Sequence, residues 1–195
     1  MATVATPMGA EPVDTLSASG SFTGKVRHIK IANAYATAIF YGDFVKLVAA
    51  GTVEKAAVTT SVVAGTVGIF VGCAYTDPST NQMTFNQQFP ASTAADDIVA
   101  YVVDDPKLLF RMQGDEAIAQ TGLGNNVSAV NTAGSTSIGR SKNALDGGSI
   151  ATTNTLPLRV VDFVDGPTST VGDAFTDCIV TYLPLSHAYE TKLGV

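Results

Sequence analysis

Three adjacent acidic pairs, Asp96-Asp97, Asp104-Asp105 and Asp115-Glu116, have the residue types needed for carboxylate hydrolysis or Ca²⁺ ligation. Neighbours along a strand point to opposite faces, so no single pair can supply both members of such a site. Turn chemistry accounts for them better, each carboxylate accepting from nearby backbone N–H groups. A Ser/His/Asp or Cys/His site needs His28 or His187, the two histidines, beside a nucleophile. Neither lies in a nucleophile-elbow or cysteine-protease pattern. Cys73 and Cys178 match no zinc spacing and sit in apolar segments, where a thiol is buried and inert. Gly122-Leu123-Gly124-Asn125-Asn126 is glycine-rich but lacks the Lys-Ser/Thr that a phosphate loop requires. There is no dinucleotide fingerprint or EF-hand pattern. The residues point away from an enzyme, and neither a metal nor a cofactor is expected.

Composition narrows the class further. The formal charge is −6, which argues against whole-surface binding of nucleic acid. The cations are also unevenly placed: residues 1–55 hold five Lys/Arg against four Asp/Glu. Their one cluster is Lys25, Arg27, His28 and Lys30. In a strand its members divide between two faces, and no aromatic residues interleave to stack bases, so a solvated strand is the reading. Only 14% of residues are charged, against about 25% in an ordinary soluble domain. No stretch approaches the roughly 20 apolar residues of a membrane span. So few charges on a free monomer would expose apolar area, and self-association is expected. The first residues lack the basic start and long apolar core of a secretory signal, so synthesis in a reducing cytoplasm is expected. Asn126-Val127-Ser128 fits a glycosylation sequon by chance.

The elements are short strands between turn signals. Residues 98–103 are an unbroken apolar run, Asp104-Asp105-Pro106-Lys107 is a turn, and residues 108–113 alternate with Leu108, Phe110 and Met112 on one face. This reads as a central β-hairpin. Further strands are read at 22–32, 38–48 (broken by Gly42-Asp43), 51–55, 67–75 and 83–89, with Gly68 and Gly72 marking bulges or bends. Asp115 could cap a turn or two of helix over 116–120. Residues 131–155 are loops with one weak strand, and 158–164 with 175–183 form a second hairpin. The expectation is a mainly β fold: a single β-barrel or sandwich-like domain of short antiparallel strands at 23–183, with one or two short helices. Residues 1–22 are an extended N-terminal arm and 184–195 a C-terminal tail. The arm is either a disordered terminus or a segment that orders on a neighbouring subunit. Its removal is expected to leave the melting of the domain nearly unchanged.

The segments Ile39-Phe40-Tyr41-Gly42-Asp43-Phe44-Val45-Lys46-Leu47 and Val67-Gly68-Ile69-Phe70-Val71-Gly72-Cys73-Ala74-Tyr75-Thr76-Asp77-Pro78 resemble small head proteins of tailed, short-tailed (podovirus-like) bacteriophages. The likeness continues through Ala100-Tyr101-Val102-Val103-Asp104-Asp105-Pro106, Leu156 to Val164 and Gly172 to Asp177, covering roughly residues 33–183. These are capsid cement, decoration or head-stabilisation proteins. The resemblance implies a β-rich fold, self-association as a homotrimer, and binding to the major capsid protein of the same phage, on the shell surface of the virion. It brings no catalytic residues. The capsid or subunit contact candidates are read from the arm, the basic cluster and the tail, outside the stretch the resemblance covers: Val4, Val13, Leu16, Phe22, Lys25, Arg27, Lys30, Tyr189 and Leu193; neither membrane nor direct nucleic acid is expected as a partner. Two rival readings stand beside it. One is a tail or fibre component that recognises a host surface; the other is a small β-barrel hydrolase, which would depend on the two histidines.

Overall fold

The structure, a computed structural model, describes residues 4–17, 24–59, 66–184, 186–190 and 194. It is mainly β, and the described strands form two antiparallel sheets. Sheet 1 runs, in spatial order, β1 (Glu11–Thr15), β8 (Leu108–Gln113), β12 (Asp177–Tyr182), β11 (Leu158–Phe163), β9 (Asn126–Val130) and β10 (Ala144–Ala151). Sheet 2 runs β2 (Arg27–Lys30), β7 (Val99–Val103), β5 (Thr66–Thr76), β3 (Phe44–Leu47) and β4 (Val53–Lys55), with β6 (Met83–Asn86) on the far end of β5. Among the described residues the helical element is one 3-10 turn, Gln120–Gly122, and no helix is long and apolar enough to cross a membrane.

The sheets pack as a sandwich. Leu108, Phe110, Met112, Val160, Val180 and Tyr182 of sheet 1 share a cluster with Phe44, Ile69 and Val103 of sheet 2. Phe44 meets Phe110 edge-on with ring centroids 5.6 Å apart, and Tyr182 at 6.1 Å. Sheet 2 buries its other face too, where Val45, Phe70, Cys73, Ala100 and Val102 pack against Ile31, Ile39, Phe89 and Ile98 from loops. That two-sided burial is why β5 and β7 read as continuous apolar runs. Sheet 2 curls round this second cluster until Ile31 bridges Val53, without closing a barrel.

Two bulges let β5 serve both cores. The pairing with β3 slips between Gly68 and Thr66, and that with β7 slips between Phe70 and Gly72. Each slip reverses which face the next side chain takes. Glycine is required at 68: its φ is +158° and a Cβ there would overlap the Val103 carbonyl oxygen. In β11 the pairing with β12 slips at Val161. Asp162 therefore turns out and Phe163 turns in, where plain alternation would place Asp162 beside Leu158 and Val160.

Several expectations need correction. Residues 98–113 are not a hairpin: β7 pairs with β2 and β5, whereas β8 pairs with β1 and β12. The turn between them is a crossover from one sheet to the other. The segment 116–120 is not an α-helix: Ile118 N–H donates to Thr176 Oγ1, and the one 3-10 turn begins only at Gln120. Strand β9 follows where no strand was expected. Of the described residues in the stretch read as the first strand, 24–32, strand is confined to Arg27–Lys30, and the strand at 83–89 ends at Asn86.

The N-terminal segment is not an independent arm. Residues 11–15 are β1, paired with β8 through a bulge at Val13, and Ala10 is fully buried. Ala10 N–H donates to the Gly42 carbonyl at 2.9 Å. The two backbones pass so closely that a Cβ on Gly9 would stand 2.6 Å from the Gly42 oxygen, and one on Gly42 2.8 Å from that of Met8. Arg140 secures the same segment by pairing with Glu11 while lying 4.8 Å over the Tyr41 ring. Nor is the C-terminal stretch wholly a tail, since His187 bridges Thr66 and is buried.

Beside Gly42, Asp43 is fully buried. One carboxylate oxygen accepts from Ser141 Oγ at 2.7 Å and Asn143 Nδ2 at 3.2 Å. The other accepts from Phe40 N–H at 2.9 Å and pairs with Lys55 Nζ at 2.9 Å.

Deletion of residues 1–16 is expected to cost roughly 3 kcal/mol or more, from backbone bonds worth about 1 kcal/mol each and the loss of Ala10 from the core. In a chain of this size that lowers the melting temperature by about 6–12 °C, measurable by differential scanning calorimetry. Asp43→Ala leaves the largely covered Lys55 ammonium, its side chain 12% exposed, without its carboxylate and should lose about 3 kcal/mol in urea unfolding.

Candidate functional site

The sheet crossover at Asp104-Asp105-Pro106-Lys107 is where the candidate contact residues gather. Asp104 closes β7 and is buried, yet its carboxylate has two partners remote in sequence. Arg27 Nε lies 2.6 Å from Oδ2, and the Tyr189 hydroxyl donates to the same oxygen at 2.9 Å. The Arg27 guanidinium also stands 5.1 Å over the Tyr189 ring. Asp105 shapes the turn by accepting from Lys107 N–H at 2.8 Å, and it accepts from Thr15 Oγ1 at 3.0 Å. Leu16 N–H donates to the Lys107 carbonyl at 2.8 Å. The end of β1, the start of β2 and the C-terminal stretch thus converge on one corner.

His187 anchors that stretch. Its ring stands edge-on between Tyr182, at 5.2 Å, and Tyr189, at 5.0 Å. Its Nδ1 accepts from Tyr189 N–H at 3.3 Å, which places the imidazole proton on Nε2. Burial holds the imidazole below its ordinary 6.5, although the Val67 backbone and the charges of Asp104 and Asp105 pull the other way. The Tyr189 phenol is pushed up to about 12, first by burial and then by its bond to and the charge of Asp104, with Arg27 opposing.

Of the expected contacts, Leu16, Arg27 and Tyr189 therefore meet at the corner and remain partly open to solvent. Val13 is exposed at the bulge in β1. Val4, 66% exposed, lies with Met8 at a cleft of about 300 Å³ whose wall carries Arg111 paired to Asp177 at 2.7 Å. Lys25 and Lys30 are exposed, and Lys30 sits opposite Val99 at the other end of β2, so the basic cluster is divided. Phe22 and Leu193 lie outside the described residues.

The acidic pairs have structural employment. Asp97 accepts from Thr76 Oγ1 at 2.6 Å and from its N–H, and those bonds lower its pKa. Asp96 accepts from Asn33 Nδ2. Asp115 and Glu116 are not in a strand, and with Asp146 they bring three carboxylates within 4.8 Å of one another. Strand parity therefore does not separate that pair. All three are at least partly exposed; Asp115 already accepts from Gly147 N–H, and Asp146 from Ser128 Oγ. Cys73 and Cys178 are buried as expected, and burial pushes both thiols up to about 12. The sequence reading missed Met83 and Phe85 as surface residues; the signal available was an alternating strand without a charge.

Comparison with protein-family models, curated proteins and solved structures finds no match to this chain.

Because the folded His187 resists protonation, the unfolded chain binds its proton first as pH falls through about 6.5. Its contribution to stability is complete above that value and declines below it. The melting temperature of the wild type should therefore drop between about pH 7.5 and about pH 5.5, and His187→Phe should make that drop shallower.

Proposed function

We propose that this chain is a virion structural protein, a capsid cement or decoration protein that binds the major capsid protein lattice of a phage head and stabilises the shell, associating with its own copies as a homotrimer. The observation that carries the reading is the exposed apolar row on the N-terminal segment: Val4, Met8, Val13 and Leu16 are 66%, 44%, 44% and 50% exposed although the segment is pinned to the sandwich. Ordered anchors of this kind bind at a lower entropy cost than a free arm. Arg27 and Tyr189, beside Leu16 at the crossover, add a cation and an aromatic of the kind enriched at interface centres. The sequence resemblance supports the same reading. Its motif residues Gly42, Asp43 and Asp104 are those that hold the fold together.

The mechanism is additive burial. Each apolar anchor that leaves water contributes about 1.5–3 kcal/mol when fully buried. A standard interface covers on the order of 1,600 Å², and contacts to several capsid subunits at once make release rare. The tail or fibre reading predicts a handful of copies per particle, whereas a cement protein approaches the number of capsid subunits. Quantitative gel analysis and electron microscopy of purified particles separate the two, and density anywhere but the head shell overturns the proposal. The double variant Val13→Asp, Leu16→Asp should keep its melting temperature, since both side chains are half-exposed, while binding particles at least about tenfold more weakly.

A further inference from the structure

The edges of the two sheets are not alike. Strand β1 carries Glu11, Pro12, Asp14 and a bulge; β2 carries Arg27 and Lys30; β4 carries Glu54 and Lys55; β10 carries Asp146 and two glycines. These are the devices by which proteins keep edge strands from pairing with other chains. Strand β6, Met83-Thr84-Phe85-Asn86, has none of them. No charged residue occurs between Asp77 and Asp96, and β6 contains no proline, glycine or bulge. It pairs with β5 on one side, and among the described residues no backbone bond is recorded on the other. Met83 and Phe85 share one face and are 59% and 73% exposed, the latter the most exposed large apolar side chain described.

We propose that β6 is a self-pairing edge, adding antiparallel to β6 of a second copy across a two-fold axis. Symmetry fixes the register. A two-fold axis perpendicular to the sheet keeps each face on its own side, so a residue on the axis must stand opposite its own copy. With Thr84 there, Met83 faces the partner's Phe85 and Phe85 the partner's Met83, so that four apolar side chains close over one face. In this register β6 has no charged residue to set against its own copy. Four residues bury far less than the roughly 800 Å² per partner of a stable interface, so the contact is weak in dilute solution and fills where copies are concentrated. It is separate from any three-fold contact, and it pairs monomers or trimers alike. It stands apart from the head-shell reading, because purified chain suffices to test it.

Directly opposed residues in an antiparallel pair have Cα atoms about 4.5–5.5 Å apart, within disulfide range. The full chain carrying Thr84→Cys should therefore cross-link through the two introduced thiols in oxidised glutathione, while buried Cys73 and Cys178 stay silent. Thr80→Cys, in the exposed turn before β6, is the control. The Thr84→Cys dimer should form at least about tenfold faster than the control. Adding Phe85→Lys, at a side chain with no packing role, should return the rate to that of the control. Equal rates for the two cysteine variants overturn the proposal, as does a rate that Phe85→Lys leaves unchanged. An edge reserved for a strand of a different protein would give the former result.

Discussion

A carboxylate taken wholly out of water must be matched by donors, and Asp43 draws its donors from three parts of the chain. Lys55 comes from the end of β4, the Phe40 N–H from the turn before it, and Ser141 and Asn143 from a loop about a hundred residues on. A buried ion pair is a poor source of net stability but a strict condition on geometry, because either partner alone is costly. Here the condition fixes the Gly42-Asp43 turn. That turn in turn receives Ala10 N–H and hands Gly42 N–H to the Phe70 carbonyl in β5. The start of the chain, the centre of sheet 2 and the 135–143 loop are thereby held in one relation.

The second constraint is the passage between layers. Strands β7 and β8 are consecutive, yet each lies inside a different sheet, so the four residues between them turn a corner of the sandwich. The corner is rigid because Asp104 is neutralised by Arg27 and bonded by Tyr189, and because Asp105 holds Thr15. The His187 ring continues this contact inward through Tyr182 to Phe110 and Phe44. A continuous line of aromatic packing therefore joins the surface at Tyr189 to the middle of the core.

This architecture places rigid apolar side chains on the outside. Val13 is turned out by a bulge, and Leu16 is held by a backbone bond to Lys107. Phe85 lies next to Ala74 on the face of sheet 2 that meets sheet 1, but at the far end of β5, where the side chain stands in solvent. These are the side chains on which the proposed contacts with other subunits rest.

Local pattern determined a good deal. The alternation of residues 108–113 placed Leu108, Phe110 and Met112 in the core, the glycines at 68 and 72 marked bulges, and the apolar settings of Cys73 and Cys178 implied inert thiols. Each of these rests on a period or a steric limit that a few neighbouring residues set. Sheet membership rests on neither. An apolar run, a turn and an alternating run look the same whether the second strand folds back on the first or crosses to the opposite layer. The need to cover both faces of β7 decided for crossing. Strand β1 was hidden because Glu11, Pro12 and Asp14 resemble a loop until the edge of β8 offers its backbone. The meeting of Arg27 and Tyr189 over Asp104 was beyond any local signal, since partners so distant in sequence are brought together only by the packing of the layers between them.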